Sequence, residues 1–230
     1  MEYFMVVSDE TNGDENWARL LQMVPSAKRV ANAGGILQSY QKCADQCQAE
    51  SFFVIDGDNW VAENFHFEWP HAAKPGQVFV WRALNPVNGL IYGHGAIKLF
   101  CVADWRKTRS SQAGIDVTMG TGSTYNIVET LASEHRFNTS PFHTWRTAFR
   151  ECVKLATHPP LKKGADIAAM RLNTWITTGI DRNFGNWSML GAAQGAAFGR
   201  QYVDDLSALR KVNDYGWLQD CFRRASETLS

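Results

Sequence analysis

The chain has 230 residues, of which 45% are hydrophobic and 20% are charged. This composition is ordinary for a globular protein and excludes a disordered or fibrous chain. No apolar run approaches the roughly 20 residues that a membrane-spanning helix needs. The net charge is zero, but residues 1–75 carry five basic and eleven acidic side chains, whereas residues 141–230 carry twelve and eight. This asymmetry suits a cation-dependent site followed by a surface that meets a polyanion.

The first part of the chain alternates strand and helix patterns. Strands are predicted at residues 3–7, 28–31 and 51–55, and the last of these is a continuous apolar run, typical of a strand covered on both faces. Apolar residues at helical spacing predict a helix over 17–24 and a second one from residue 36. This order predicts an α/β fold whose parallel strands place their following loops at one ligand-binding edge.

The remainder of the chain predicts two more strands and then mostly helices. Residues 77–83 and 96–102 have strand patterns. Ser140 and Pro141 are an N-cap and a first-turn proline, so we predict a helix from there to about residue 156. Further helical segments are expected up to residue 227, and no linker indicates a second independent domain.

The cysteines indicate a reducing compartment. Their number, five, is odd, which argues against a disulfide framework. Cys43 and Cys47 share one helix face and are interpreted as buried thiols, because no second pair follows at zinc-site spacing. The amino terminus lacks the basic start of a signal peptide. We therefore expect a cytoplasmic protein.

Two carboxylates follow the third predicted strand. Asp56 and Asp58 flank Gly57, and residues i and i+2 of an extended chain project to the same side. Two such carboxylates repel each other unless a cation neutralises them, and Gly57 lets a ligand approach closely. An incomplete set of hard oxygen ligands suits Mg²⁺ or Mn²⁺. The pattern thus predicts a cation that bridges the protein to a diphosphate and takes up charge on a departing phosphate.

Alternative interpretations of this pair remain open. An Asp-Gly turn after a strand needs no function at all. Haloacid dehalogenase-like phosphatases also place Asp-x-Asp after an apolar strand, but there the motif ends the first strand of the core and precedes a threonine. Here the motif ends the third predicted strand and precedes Asn59. The cation hypothesis requires that Asp56 and Asp58 face a cavity and are not engaged in ion pairs with arginines.

Six blocks of the sequence carry a resemblance to a known family, namely Pro25–Val30, Gly35–Gln38, Phe52–Asp58, Val80–Gly93, Lys98–Leu99 and Phe142–Leu155. Together they resemble the phage glycosyltransferases associated with TET/JBP-type hydroxylases. The resemblance implies a glycosyltransferase-A-like α/β fold, with a Rossmann-like mixed sheet and a helical C-terminal part. It implies one domain over residues 1–230, in which 1–75 form the nucleotide-sugar and metal half and 76–230 form the acceptor half.

The resemblance also implies an activity. Such an enzyme moves a sugar from a nucleotide-sugar, here a UDP-sugar, to 5-hydroxymethylpyrimidine bases in phage DNA, inside the cytoplasm of the infected host cell. Asp56 and Asp58 correspond to the cation-binding motif of that family, with Mn²⁺ or Mg²⁺ as the ion. Ser8, Asp9 and Arg29 occupy positions suited to the nucleotide.

The remaining candidates lie outside the acidic motif. His143 is a candidate third cation ligand or, alternatively, an exposed residue of the first helical turn. Arg146 is a candidate for binding diphosphate or the DNA backbone, and its alternative is a structural salt bridge. The family often has an aspartate where Ser140 stands, so the general base is open between Glu151 and His94. Glu151 is alternatively a salt-bridged helix residue. A glycosyltransferase that acts on protein or glycan would fit the same residues.

Overall fold

The computed structural model describes residues 1–31, 34–108, 115–116, 121, 123–158 and 164–227. Strands and helices alternate in the first part of the chain, and helices follow the last strand. In chain order, the elements are β1 (Glu2–Val7), α1 (Gly13–Met23), β2 (Lys28–Ala31), α2 (Ile36–Gln46), β3 (Ser51–Asp56), β4 (Asn59–Val61), β5 (Gln77–Leu84), β6 (Ile91–Tyr92), β7 (Ile97–Cys101), α3 (Val102–Lys107), β8 (Thr124–His135), α4 (Pro141–Ala156), α5 (Ala165–Thr177), α6 (Gly185–Gln201), α7 (Leu206–Leu209) and α8 (Tyr215–Glu227).

The strands form one mixed sheet in the order β2-β1-β3-β7-β5-β8-β4, and β6 pairs with β5. β1 is parallel to both β2 and β3, whereas β7 is antiparallel to β3 and to β5. β8 is parallel to β5 and antiparallel to β4. The predicted α/β class with a mixed sheet is confirmed, and the carboxyl ends of β1 and β3 lie side by side.

Alternating side chains of the central strands enter two separate hydrophobic clusters. Phe52 and Val54 pack in a cluster that includes Tyr40 of α2, whereas Phe53 and Ile55 pack in one that includes Leu20 of α1. β3 is therefore covered on both faces. This burial explains why its sequence is continuously apolar rather than alternating.

The second group of elements is the helical C-terminal part, which is confirmed. The Ser140 side chain caps α4 by accepting a hydrogen bond from the backbone N–H of His143 at 3.2 Å, and Pro141 occupies the first turn. α4 ends at Ala156, as the sequence predicts. Ala148 and Cys152 of α4 pack with small residues of α6 in a third hydrophobic cluster.

The chain divides into two compact units. The first comprises Met1–Asn85 with Ile91–Arg136, and the second comprises Pro86–Leu90 with Phe137–Ser230. β5 and β7 continue the sheet that β3 belongs to, so the first unit extends past residue 75. The two predicted functional halves, residues 1–75 and 76–230, stay predictions. The single functional domain stays a prediction. No helix within the described residues is long and apolar enough to cross a bilayer.

Candidate active site

The predicted acidic motif lies at the carboxyl edge of the parallel strands in the first unit. Asp56 is the last residue of β3 and is in register with Val6 of β1. Ser8 and Glu10 follow β1 directly, and the backbone N–H of Ser8 donates to Oε2 of Glu10 at 2.5 Å. The expectation that the loops after β1 and β3 share one edge of the sheet is confirmed.

Backbone hydrogen bonds hold the turn between β3 and β4. The Asn16 side-chain amide donates to the Gly57 carbonyl oxygen at 2.8 Å, and Asn16 itself is fully buried. The N–H of Arg136 donates to the Asp58 carbonyl oxygen at 2.7 Å. The backbone that carries the two carboxylates is therefore fixed from α1 on one side and from the residue after β8 on the other.

Gly57 is required by close packing. A Cβ atom at this position would lie 2.8 Å from the carbonyl oxygen of Val6 and 3.1 Å from Cα of Val7. It would also lie 3.2 Å from Oε2 of Glu10. The Glu10 carboxylate therefore lies against the turn that joins Asp56 to Asp58, and the loop after β1 adds a third acidic group to this edge.

Two buried side chains of the first unit, Lys98 and Tyr40, hydrogen-bond to the Asp56 carboxylate. Lys98 of β7 places Nζ 2.8 Å and 2.9 Å from the two carboxylate oxygens of Asp56, and the Tyr40 hydroxyl donates to Oδ1 at 2.7 Å. The Lys98 side chain is 1% exposed, whereas that of Asp56 is 34% exposed. Burial, together with the negative charge of Asp56, raises the pKa of Tyr40 well above its ordinary value, so the hydroxyl stays a donor.

Asp58 has partners of a different kind. Its Oδ2 lies 2.8 Å from Nε2 of His135, the last residue of β8, and its Oδ1 accepts from the Asn59 side-chain amide at 2.8 Å. The Asp58 and His135 side chains are 21% and 15% exposed. Both aspartates are partly exposed, and each also has a partner, a lysine for Asp56 and a histidine for Asp58. Their role as cation ligands stays a prediction.

The Glu10 carboxyl has a raised pKa. Burial raises the pKa of Glu10 to about 7, and the negative charge of Asp58 adds to the rise. The acidic groups at this edge therefore repel each other, and a cation or a proton is needed to hold them together. This is the electrostatic environment in which a divalent ion or a donated proton binds well.

His94 lies beside the same group. Its imidazole ring centroid is 4.6 Å from that of His135, with an angle of 32° between the two ring planes. His94, His135 and Asp58 therefore form a continuous row of side chains. Among the two candidates for the general base, His94 is the one that the first unit places next to the acidic motif.

The described residues hold no group of three or more His, Cys, Asp or Glu side chains arranged to enclose a metal ion. The metal set that the sequence suggests, Asp56, Asp58 and His143, stays a prediction. Phosphate oxygens and water would complete the shell of Mg²⁺ or Mn²⁺. Asp58, with His135 against it, has suitable donor atoms. Asp56 has both oxygens within hydrogen-bonding distance of Lys98, and its role as a cation ligand stays a prediction.

The predicted nucleotide-binding residues also lie in the first unit. Ser8 and Asp9 follow β1 at the same edge as the acidic motif. Arg29 lies within β2, and its guanidinium group forms an ion pair of 2.7 Å with Asp14 of α1. A role for Arg29 in nucleotide binding therefore requires that a ligand compete with Asp14.

The other predicted site residues belong to the second unit. His143 is in the first turn of α4, where its Nδ1 lies 2.6 Å from the Ser140 hydroxyl. Arg146 is buried, and its guanidinium carbon lies 4.3 Å from the ring centroid of Tyr215. Glu151 forms an ion pair with Lys154 at 2.7 Å, which is the structural alternative considered for it.

Four residues of this site are absent from the candidates that the sequence suggests. Lys98 had a usable signal, because a lone charge in an apolar strand needs a buried partner. Glu10, Tyr40 and His135 had none that a single sequence reveals. Each joins the site through the packing of a separate element, namely the loop after β1, the helix α2 and the strand β8.

Comparisons with known proteins find only remote structural likeness. No family model matches the chain, and no curated protein matches it. The galactosyltransferase LgtC, solved with donor and acceptor sugar analogues, is 10% identical, with 63% of this chain and 89% of that chain covered and a TM-score of 0.40. A mannosyltransferase from Pyrobaculum calidifontis, solved with GDP-Man and Mn²⁺, is 10% identical, with coverages of 98% and 83% and a TM-score of 0.41.

A third structure belongs to a different class of transferase. It is a putative glucose-1-phosphate thymidylyltransferase from Bacillus anthracis, 16% identical, with 55% of this chain and 67% of that chain covered and a TM-score of 0.35. At such identities and TM-scores, none of these likenesses transfers an activity to this chain.

Proposed function

We propose that this chain is a glycosyltransferase that moves a sugar from a UDP-sugar to the hydroxymethyl group of 5-hydroxymethylpyrimidine bases in phage DNA, in the cytoplasm of the infected host cell. The observation that carries the proposal is the partly exposed Asp58 carboxylate, which contacts His135 and repels the Glu10 carboxylate at the carboxyl edge of parallel strands. Ligands of open α/β sheets bind at this edge. The choice of hydroxymethylated DNA as the acceptor rests on the sequence blocks that resemble phage glycosyltransferases.

Asp58 and His135 are the residues that would hold Mn²⁺ or Mg²⁺, with Asp56 beside them. When bound, the ion supplies positive charge that stabilises the departing nucleoside diphosphate. The hydrogen bonds from Arg136 and Asn59 orient Asp58 in advance. The site therefore needs little rearrangement as a ligand arrives, which is the condition under which electrostatic stabilisation is most effective.

The transfer also needs a proton acceptor for the alcohol. His94 is supported in this role by its position in the row with His135 and Asp58, and a histidine accepts protons readily near neutral pH. Glu151 is less suited, since its carboxylate is ion-paired with Lys154. The acceptor polymer is supported by the excess of basic residues in the last ninety residues, which suits a polyanion.

The proposal is tested with defined DNA duplexes. Duplexes that contain 5-hydroxymethylcytosine, 5-hydroxymethyluracil or only unmodified bases are incubated with UDP-sugars and either Mn²⁺, Mg²⁺ or a chelator. The DNA is then digested to nucleosides for mass spectrometry. We expect a mass gain of one sugar on a hydroxymethylated nucleoside and none on the unmodified duplex. No gain with any donor would overturn the proposal.

The same assay separates the alternatives. Donor hydrolysis that hydroxymethylated DNA does not stimulate would indicate a protein or glycan acceptor. Phosphate release from simple monoesters, without sugar transfer, would indicate the phosphatase. The phosphatase interpretation is disfavoured because Asp56 ends β3, the third strand of the chain, with one parallel and one antiparallel neighbour.

A further inference from the structure

Lys98 is a buried charge within an apolar strand. Its side chain is 1% exposed, and the whole of β7 is buried around it. An ammonium group in such a place is costly unless each of its three hydrogens finds an acceptor. The acceptors are the carboxylate of Asp56, the hydroxyl oxygen of Tyr40 and the carbonyl oxygen of Gly95. The ammonium group therefore has an acceptor for each of its three hydrogens within this cluster.

Tyr40 approaches the same carboxylate from α2. Its ring packs against Phe100 and Trp105, with centroid distances of 5.6 Å and 5.2 Å, and the residue is 1% exposed. This packing fixes the direction in which the hydroxyl donates to Asp56. Two buried donors from separate elements therefore set the orientation of one partly exposed carboxylate.

We propose that Lys98 and Tyr40 are positioning residues that orient the Asp56 carboxylate toward the donor and, through the ammonium charge, weaken its attraction for a divalent cation. The inference rests on the proposed function, because it takes the ligand at this edge to be a nucleoside diphosphate sugar. Neither residue touches the ligand. Both act through Asp56, whose side chain stays partly exposed although both of its oxygens are within hydrogen-bonding distance of Lys98.

The hydroxyl of Tyr40 is tested by Tyr40→Phe, which keeps the ring and its packing. We expect the Kd for UDP and the KM for the donor each to rise about tenfold, with kcat changed much less, as for the loss of a residue that orients a ligand-binding group. The control is Tyr3→Phe, since Tyr3 stacks on Phe53 near the start of β1, away from the carboxyl edge. The control should leave Kd, KM and kcat unchanged.

The charge of Lys98 is tested by Lys98→Met, with Lys42→Met on the exposed face of α2 as the control. Mn²⁺ binding in the presence of UDP is followed by electron paramagnetic resonance. We expect Lys98→Met to bind Mn²⁺ at least about threefold more tightly, because a positive charge close to the ion is removed. A purely structural lysine would give weaker binding or none. Lys98→Arg keeps the charge and should not tighten Mn²⁺ binding.

The outcomes separate this inference from the proposed function. Unchanged UDP affinity in Tyr40→Phe, or looser Mn²⁺ binding in a folded Lys98→Met, overturns the positioning role while leaving sugar transfer intact. Absence of sugar transfer by a wild-type protein that binds UDP and Mn²⁺ overturns the proposed function, and the two binding tests still decide the positioning role. If Lys98→Met does not fold, the UDP affinity of Tyr40→Phe decides alone.

Discussion

Asp58 and His135 are 77 residues apart in the chain, yet Oδ2 of Asp58 lies 2.8 Å from Nε2 of His135. The contact exists because β4, which begins directly after Asp58, pairs antiparallel with the end of β8. His135 is in register with Asn59, whose side chain donates to Asp58. The sheet, rather than the local motif alone, thus gives Asp58 its surroundings.

Asp58→Asn should abolish most sugar transfer. Asparagine keeps the size of the side chain and a hydrogen-bonding oxygen but removes the negative charge, so we expect the transfer rate to fall roughly 100-fold or more. Mass spectrometry of the digested DNA measures the rate. Glu63→Gln, at an exposed residue beyond β4, is the matched control and should retain wild-type activity. Full activity in Asp58→Asn would remove this residue from the mechanism.

Glu10 should make the stability of the fold depend on pH. Its pKa in the folded chain is raised from 4.5 to about 7, so the folded state binds more protons than the unfolded state between these values. The free energy of unfolding therefore falls as the pH rises from about 4.5 to 7. Above pH 7 the ionised Glu10 lowers it by about 2–3 kcal/mol. Below pH 4.5 the carboxyl is protonated in both states and costs nothing.

Glu10→Gln removes this dependence, because the amide stays neutral and its oxygen still accepts from the backbone N–H of Ser8. We expect the variant to be more stable than wild type by about 2–3 kcal/mol at pH 8 and nearly equal to it at pH 4. Urea unfolding at both pH values measures the difference, with Glu63→Gln as the control. A Glu10→Gln variant that is less stable than wild type at pH 8 would contradict the raised pKa of Glu10.

The parallel edge and its acidic motif could be predicted from the sequence, because local patterns determine them. β1 and β3 are continuous apolar runs bounded by polar loops, and such runs indicate strands buried on both faces. The sense of their pairing then places Ser8 and Asp56 at the same edge of the sheet. The strands themselves are recognised from neighbouring residues, and the general crossover rule supplies the sense of their pairing.

The partners of the acidic motif could not be predicted in the same way. His135 ends β8, whose burial does not alternate regularly and whose pairing with β5 shifts register on either side of Arg82. A register shift breaks the period of two by which strands are recognised. Tyr40 has the pattern of an ordinary core residue of α2, and only tertiary packing brings its hydroxyl to Asp56.

Gly57→Ala should destabilise the first unit. The added Cβ would lie 2.8 Å from the carbonyl oxygen of Val6, which belongs to β1, and this strand is held by pairing with β2 and β3 on its two sides. We expect a loss of about 3 kcal/mol in the free energy of unfolding, measured by urea denaturation. Gly93→Ala is the control in the same unit, because the three atoms nearest to its Cβ would be side-chain carbons, two of Ile127 at 3.3 Å and 3.4 Å and one of Val80 at 3.5 Å. An equal loss in both variants would contradict this steric explanation.

Gly195→Ala should separate two helices of the second unit. A Cβ at this position of α6 would lie 2.3 Å from the carbonyl oxygen of Phe149 in α4, and the adjacent Phe149 carbonyl carbon and Cα would both be within 2.9 Å. The helices can accept the methyl group only by moving apart, which exposes Ala148 and Ala192 between them. We expect a loss of about 3 kcal/mol or more in the free energy of unfolding.

Gly216→Ala is the matched control for this helix variant. Gly216 is exposed in the first turn of α8, where an added Cβ would meet only the Asp214 side chain at an ordinary distance of 3.4 Å. Alanine favours the helix over glycine, so this variant should be as stable as wild type or more stable by up to about 1 kcal/mol. Thermal unfolding followed by the fluorescence of buried tryptophans compares the two. A Gly195→Ala variant that unfolds at the wild-type temperature would show that α4 and α6 are not in close backbone contact.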